Sequence, residues 1–223
     1  MPEQTTRLRV GVLVSGTGTV LQGLIDACRR GETAAHIAVV ISNVPGAFAL
    51  ERARAAGIPA VTLDHRAFRN RDAFETALRD TLERAGVDLV CLAGFLRILT
   101  PRFVDAFAGR IMNIHPALLP AFGGKGMYGD RVHEAVLASG ARLSGCTVHF
   151  VTPDPDAGPI IVQMPVPVED GDTPATLSAR VRHQELRAYP LAVRLFAEGR
   201  LRVEGNRVRV LDCESPLPLA SPS

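Results

Sequence analysis

Tryptophan is absent from this 223-residue chain and tyrosine occurs only twice. This scarcity argues against an aromatic platform for stacking single-stranded nucleic acid. Cysteine is sparse and scattered at Cys28, Cys91, Cys146 and Cys213. With no CxxC pair, neither a zinc ribbon nor a thioredoxin-like redox motif is available. No sign of charge dominates either: 25 Lys and Arg face 23 Asp and Glu, for a net charge of +2. Bulk charge thus does not mark a nucleic-acid binder. No uncharged apolar stretch reaches the roughly 20 residues of a membrane helix, and the opening MPEQTTRLRV holds no apolar run of signal-peptide length. What remains is an ordinary globular composition, 47% apolar and 22% charged. The expectation is a soluble protein of the reducing cytoplasm. Cys91 and Cys146, inside apolar runs, read as small buried residues.

Apolar runs and helical stripes alternate through the first half. LRVGVLVS (8–15), HIAVVISN (36–43), a short run at 60–63, LVCLA (89–93) and 110–115 read as strands. Between them, 19–30, 47–56, 72–85 and 101–107 read as helices, three of them stopped by Gly31, Gly57 and Gly86. Phe74, Leu78 and Leu82 form one stripe of the third helix. Strands apolar on both faces and separated by helices predict a doubly wound, mostly parallel α/β sheet, with ligands beyond the carboxyl ends of the strands. In the second half, 132–138 is helical and 145–152 and 159–168 are two strands, as a close antiparallel pair or as neighbours in the main sheet. A long helix over 173–197 starts behind Asp172 or Thr173 and is expected to kink or split at Pro190. A hairpin turns at Gly205-Asn206. One domain over 1–212 is expected, with a disordered tail at 213–223.

Two stretches carry chemistry. Ser15-Gly16-Thr17-Gly18-Thr19 joins the first strand to the first helix. Unpaired N–H groups at a helix start attract phosphate, and glycines let it approach. The third glycine of a dinucleotide fingerprint is replaced by Leu21, the ribose-binding acid is missing at Ser42-Asn43, and no Walker lysine follows. The loop thus suits a single phosphomonoester, and on its own reads equally as a ligand-free turn. The second stretch is MNIHPALLP, 112–120. Residues i and i+2 of a strand share a side, so Asn113 and His115 project together at the catalytic edge, where both could donate to an oxyanion. A lone N-x-H is more often a structural pair. Asp156, in the rigid PDPDAGP loop, is the partner that would raise the His115 pKa and keep it charged.

With these residues, SGTGT followed by LQ, AGFLRIL (93–99), NIHPALLP, GCTVHFV and DAGPII, the chain resembles the phosphoribosylglycinamide formyltransferases over about 8–200. The resemblance implies a folate-dependent enzyme of purine synthesis that moves the formyl group of 10-formyltetrahydrofolate to glycinamide ribonucleotide, without metal. It implies Asn113, His115 and Asp156 as the catalytic group. Gly16, Thr17, Gly18, Thr19 and Val20 would hold the substrate phosphate, and Pro116 and Glu185 the rest of that substrate. Arg71, Leu96, Arg97, Ile98, Leu99, Asn113, Thr152, Pro153, Asp154 and Pro155 would line the folate site. Without the resemblance, Arg71 is a solvated charge and Glu185 a helix-surface acid. A cis bond at Leu119-Pro120 is also implied. His133, His149 and His183 are too scattered for a zinc site, and His149 reads as structural.

Two departures stand out. Val20 stands where familiar bacterial members carry an amide side chain; a backbone-made phosphate site tolerates this. The stretch AFGGKGMYGDR (121–131) is longer and richer in glycine than in many members, and its place after the catalytic strand favours a ligand loop over a surface insertion. The rivals are a formyltetrahydrofolate deformylase and a noncatalytic phosphosugar-binding module. The first would need a domain before about Leu8, and the second has no use for Asn113, His115 and Asp156 together. The expected partners are small molecules, with no nucleic acid or membrane, and the chain would act as a monomer or homodimer.

Overall fold

The apolar runs of the first half become parallel strands. A computed structural model, which describes residues 7–212, places β1 (Leu8–Val14), β2 (Ala35–Ser42), β3 (Ala60–Thr62), β4 (Leu89–Leu92) and β5 (Ile111–His115) in the order β3-β2-β1-β4-β5. Each neighbouring pair is parallel. Helices α1 (Thr19–Arg29), α2 (Phe48–Ala55), α3 (Arg71–Arg84) and α4 (Pro101–Ala106) connect them, all within two residues of the expected limits. A 3-10 turn at His65–Ala67 adds to the expected elements.

Local chemistry sets these limits. The Asn70 side chain accepts from Ala73 N at 2.9 Å and starts α3, as an N-cap should. Gly86, at φ 60°, turns the chain beyond its end. Phe74, Leu78 and Leu82 are all buried. A Cβ on Gly11 of β1 would lie 2.6 Å from Leu82 Cδ2, so the missing side chain is what lets α3 seat against the strand.

The strand order reverses between β1 and β4. Ser15 N donates to Gly94 O at 3.0 Å there, tying together the two strand ends of the switch point where such sheets bind ligands.

By contact density the chain forms two compact units, Met1–Asn113 and Ile114–Ser223. In the second, β6 (Leu143–Phe150) and β7 (Ile160–Pro167) are antiparallel. The terminal hairpin is β8 (Leu201–Glu204) and β9 (Arg207–Val210), with β9 parallel to β7. Helix α5 (Asp130–Ala138) packs on α6 (Pro174–Ala197), and α6 covers β6 and β7. Thr173 is the α6 cap, in a reciprocal pair with Thr176.

Pro190 does not split α6: the helix runs as one 24-residue element. Ala188, Tyr189, Pro190, Ala192 and Val193 are all buried. Their burial outweighs the roughly 3 kcal/mol that an interior proline costs. The Leu119-Pro120 bond is cis. Cys91 and Cys146 are buried as expected, while Cys213 and the 213–223 tail lie outside the described residues. No helix among the described residues is long and apolar enough to cross a membrane.

Leu82→Ala removes a fully buried side chain. It is expected to destabilise the protein by about 2–5 kcal/mol, read as a lower urea midpoint at unchanged m-value.

Candidate active site

In the first unit, two loops at the switch point form candidate binding segments. Gly18 precedes α1 at φ 72° and contributes no side-chain cap, and the first turn holds no acidic residue. Its amides are thus free of the side chains that usually satisfy them. A Cβ at Gly18 would stand 2.6 Å from Ala49 Cβ and 2.8 Å from Ala49 Cα, so sterics and dihedral both demand glycine. Main-chain bonds fix the loop: Ala49 N to Gly16 O at 3.1 Å and Arg52 Nε to Thr17 O at 2.9 Å. Gly16 and Thr17 are exposed, and Thr19 and Val20 partly so.

The other segment follows β4. Leu96 is 63% and Ile98 53% exposed, whereas Leu99 is buried; exposed apolar side chains beside a switch point suit a flat aromatic ligand. Leu96 N donates to Ser15 Oγ at 2.9 Å, and that hydroxyl donates to Asn43 Oδ1 at 2.6 Å. Arg71 is more than a solvated charge. Its Nε donates to Glu75 at 3.1 Å and its Nη2 to the Ile98 carbonyl. Glu75, buried, also accepts from Thr100 N at 3.0 Å and from the Thr100 hydroxyl. This carboxylate anchors the end of the segment. Sequence reasoning misses it, because its spacing on α3 does not distinguish it from a surface acid. Arg97 is exposed.

The second unit holds the ionisable cluster. His115 Nε2 lies 2.8 Å from Phe122 O. A carbonyl can only accept, so Nε2 carries the proton. Nδ1 faces Asp156 Oδ2 at 3.6 Å, which is electrostatic contact rather than a hydrogen bond. Asp156 Oδ2 accepts from Gly124 N at 2.9 Å.

On the other side, His149 Nε2 faces Asp156 Oδ1 at 3.6 Å, and its Nδ1 donates to Phe150 O at 2.9 Å. His149, expected to be structural, thus shares the carboxylate with His115. Nothing in its strand position signals this, since a β-strand imidazole meets a loop carboxylate only after the chain folds. Asp156 sits at φ 55°. A Cβ on Gly158 would be 1.8 Å from Phe150 O, so glycine there closes the loop that carries the acid. Before it, Thr152 Oγ donates to Asp154 O at 3.1 Å, Pro153, Asp154 and Pro155 are exposed, and Pro116 is half-buried.

One electrostatic expectation is overturned. Burial lowers the His115 pKa below its ordinary value, and outweighs the upward pull of Asp156 and of the Phe122 carbonyl. The imidazole is 3% exposed, and removing a cation from water costs more than one carboxylate at 3.6 Å returns. Burial also pushes Asp156 upward, but His149, His115 and the Gly124 N–H together hold it below the usual carboxylate range. The resting pair is an ionised carboxylate beside a neutral imidazole. Glu185 is half-buried on α6, and desolvation pushes its carboxyl up to about 7 against the pull of Arg182. A carboxyl poised near neutrality in this way is characteristic of a working site.

The parallel sheet and this cluster fit an α/β enzyme with acid–base chemistry, and comparison with known proteins makes the assignment specific. The family model described as formyl transferase matches residues 8–193. The chain belongs to that family, and within it to the phosphoribosylglycinamide formyltransferases. It is 44% identical to the phosphoribosylglycinamide formyltransferase of Escherichia coli, over 89% of this chain and 92% of that protein. A solved structure of glycinamide ribonucleotide transformylase 1 from Symbiobacterium toebii superposes with TM-score 0.90 and 50% identity, covering 95% of this chain and 98% of that one. The trifunctional purine biosynthetic protein adenosine-3 of Bos taurus is 48% identical over 91% of this chain, which spans 20% of that protein's length.

His115 is expected to titrate below the ordinary histidine value of about 6.5 in the free protein. Asp156→Asn should lower it further, since the carboxylate favours the imidazolium. Imidazole NMR against pH reads both, and an upward shift in the variant would contradict the assignment.

Proposed function

We propose that this chain transfers the formyl group of 10-formyltetrahydrofolate to the amine of glycinamide ribonucleotide, a step of de novo purine synthesis. The observation that carries the reading is buried His115 facing half-buried Asp156 at 3.6 Å, with His115 two residues beyond Asn113 on the same strand. The amine attacks the formyl carbon and gives a tetrahedral adduct. The Asn113 amide donates to the oxyanion. The ammonium proton passes to Nδ1 of His115, the nitrogen that holds no fixed proton. Imidazolium then forms beside Asp156 and adds its charge to oxyanion stabilisation. Collapse breaks the bond to N10 of the folate, which takes the proton back, leaving formylated product, tetrahydrofolate and the starting imidazole. His115 is thus charged during turnover rather than at rest.

Gly16, Thr17, Gly18, Thr19 and Val20 hold the ribonucleotide phosphate at the start of α1, and Pro116 and Glu185 the remainder of that substrate. Arg71, Leu96, Arg97, Ile98, Leu99 and Asn113, with Thr152, Pro153, Asp154 and Pro155, hold the folate. Residues 1–212 are the working domain. It acts in the cytoplasm as a monomer or homodimer, on small molecules alone.

Formyl transfer measured with and without glycinamide ribonucleotide tests the reading. Transfer should require the ribonucleotide and fall by at least about a hundredfold in His115→Ala. Folate hydrolysis without the ribonucleotide would make the chain a deformylase instead, and ribonucleotide binding without turnover a phosphosugar-binding module.

A second variant separates binding from stability. The Glu185 carboxyl is raised from 4.5 to about 7, so its contribution to stability is complete below the unfolded value and lost as pH rises through about 7. Glu185→Gln should therefore raise the Tm of the free protein at pH 8 by about a few degrees, with little effect near pH 4, while weakening ribonucleotide binding. Calorimetry and titration at the two pH values check this.

A further inference from the structure

Residues 122–124 lie near the start of the glycine-rich stretch 121–131, and they meet the acid–base pair through main-chain groups. Phe122 O takes the Nε2 proton of His115 at 2.8 Å. Gly124 N donates to Asp156 Oδ2 at 2.9 Å. Between these two contacts, a Cβ on Gly123 would lie 3.2 Å from Asp156 Cβ and 2.5 Å from Leu119 Cδ2. To make both contacts within three residues, Phe122 takes φ 55° and Gly124 φ 94°. A left-handed phenylalanine is unfavourable, and persists where surrounding contacts over-determine it. The charged part of the stretch turns outward, with Lys125 and Arg131 exposed and the Arg131 guanidinium 5.2 Å from the Tyr128 ring centroid.

We propose that Gly123 and Gly124 are positioning residues for the reaction: the main chain of 122–124 selects the Nε2–H tautomer of His115 and sets the distance of Asp156 from Nδ1. The inference rests on the proposed roles of His115 and Asp156. The selection matters because the proton of the attacking amine needs an empty nitrogen. With Nε2–H held by Phe122, Nδ1 is that nitrogen, and it is the one beside the carboxylate. Were the carbonyl withdrawn, the neutral ring would be free to place its proton on Nδ1, where Asp156 attracts it, and the base would be blocked. Side chains of 122–124 take no part in this, so the glycines are needed for what they leave out.

Three single variants separate this role from general loop strain. Gly123→Ala adds a methyl group against Asp156 with no backbone penalty. Gly124→Ala strains φ at the donor. Gly140→Ala strains a positive φ of 72° outside the stretch, at a position where a Cβ meets nothing within 4 Å. The first two should lower kcat by about tenfold or more with KM for both substrates nearly unchanged, and should shift the acidic limb of the kcat–pH profile. Their imidazole 15N spectra should lose the pure Nε2–H signature of His115. Gly140→Ala should keep kcat within about twofold and retain the signature.

Equal losses in all three variants, or wild-type kcat and tautomer in the first two, would overturn the proposal. Where Gly123→Ala fails to fold, Gly123→Ala with Leu119→Val removes the competing clash. Recovery of wild-type kcat and tautomer in that pair would also overturn it, and persistence of the defect would support it. The tautomer is read without substrate. A shifted tautomer in a protein that transfers no formyl group would therefore support the positioning role and refute only the assigned reaction.

Discussion

The second unit depends on a single carboxylate held between two imidazoles. Asp156 faces His115 Nδ1 and His149 Nε2, each at 3.6 Å, and each ring has its other nitrogen committed to a backbone carbonyl. The neutral His115 ring presents its Nδ1 lone pair to that anion. The contact is electrostatically unrewarded at rest and becomes favourable when a proton arrives on Nδ1. The site is thus built to receive a proton rather than to store one. Burial supplies the complementary half: it lowers the His115 pKa, so the ring starts empty.

The first unit solves a different problem, which is to keep backbone donors open while fixing their place. The amides at the start of α1 remain uncapped because the loop before them is restrained through its carbonyls, by Ala49 N and Arg52 Nε. Restraint through acceptors leaves donors for an anion. The segment after β4 follows the same logic with side chains. Thr100 and Arg71 converge on buried Glu75, and Ser15 receives Leu96 N. The exposed Leu96 and Ile98 are therefore presented by a fixed main chain rather than by their own packing. Preorganisation of this kind removes ordering entropy from binding.

Much of this is legible in the residues. Strand and helix limits follow from hydrophobic period and from glycine stops, both local and strong. The glycine loop before α1 and the Asn113–His115 pair are visible because they depend on adjacency along the chain. What escapes depends on tertiary proximity, or on two opposing effects whose sizes only the fold reveals. Glu75 and His149 acquire their roles from partners 25 and 7 residues away in sequence, with no motif linking them. At Pro190 local propensity opposes a helix while tertiary burial supports it, and burial prevails. The charge state of His115 has the same cause. Its carboxylate partner can be named from the sequence, whereas the depth at which the pair is buried cannot.

The same competition explains why Glu185 should remain in the protein at all. A carboxyl raised to about 7 by burial is a standing loss of stability at neutral pH, and a glutamine would avoid it. The loss is tolerable if the ribonucleotide removes it. A ligand whose hydroxyls or amine donate to the carboxylate returns the hydrogen bonds that water gave up, so the binding free energy includes relief of a strain already present in the free protein. That relief is available only to a ligand with donors at the right place, so the same burial that destabilises the free protein makes the site selective. In the proposed mechanism the relief for His115 comes during the reaction rather than on binding. Its desolvated ring is least stable as a cation in the free site, and gains the most when the oxyanion of the adduct appears beside it. An interaction that strengthens between ground state and transition state is what accelerates a reaction, and an imidazolium meets only a neutral carbonyl in the substrate but a full oxyanion in the adduct.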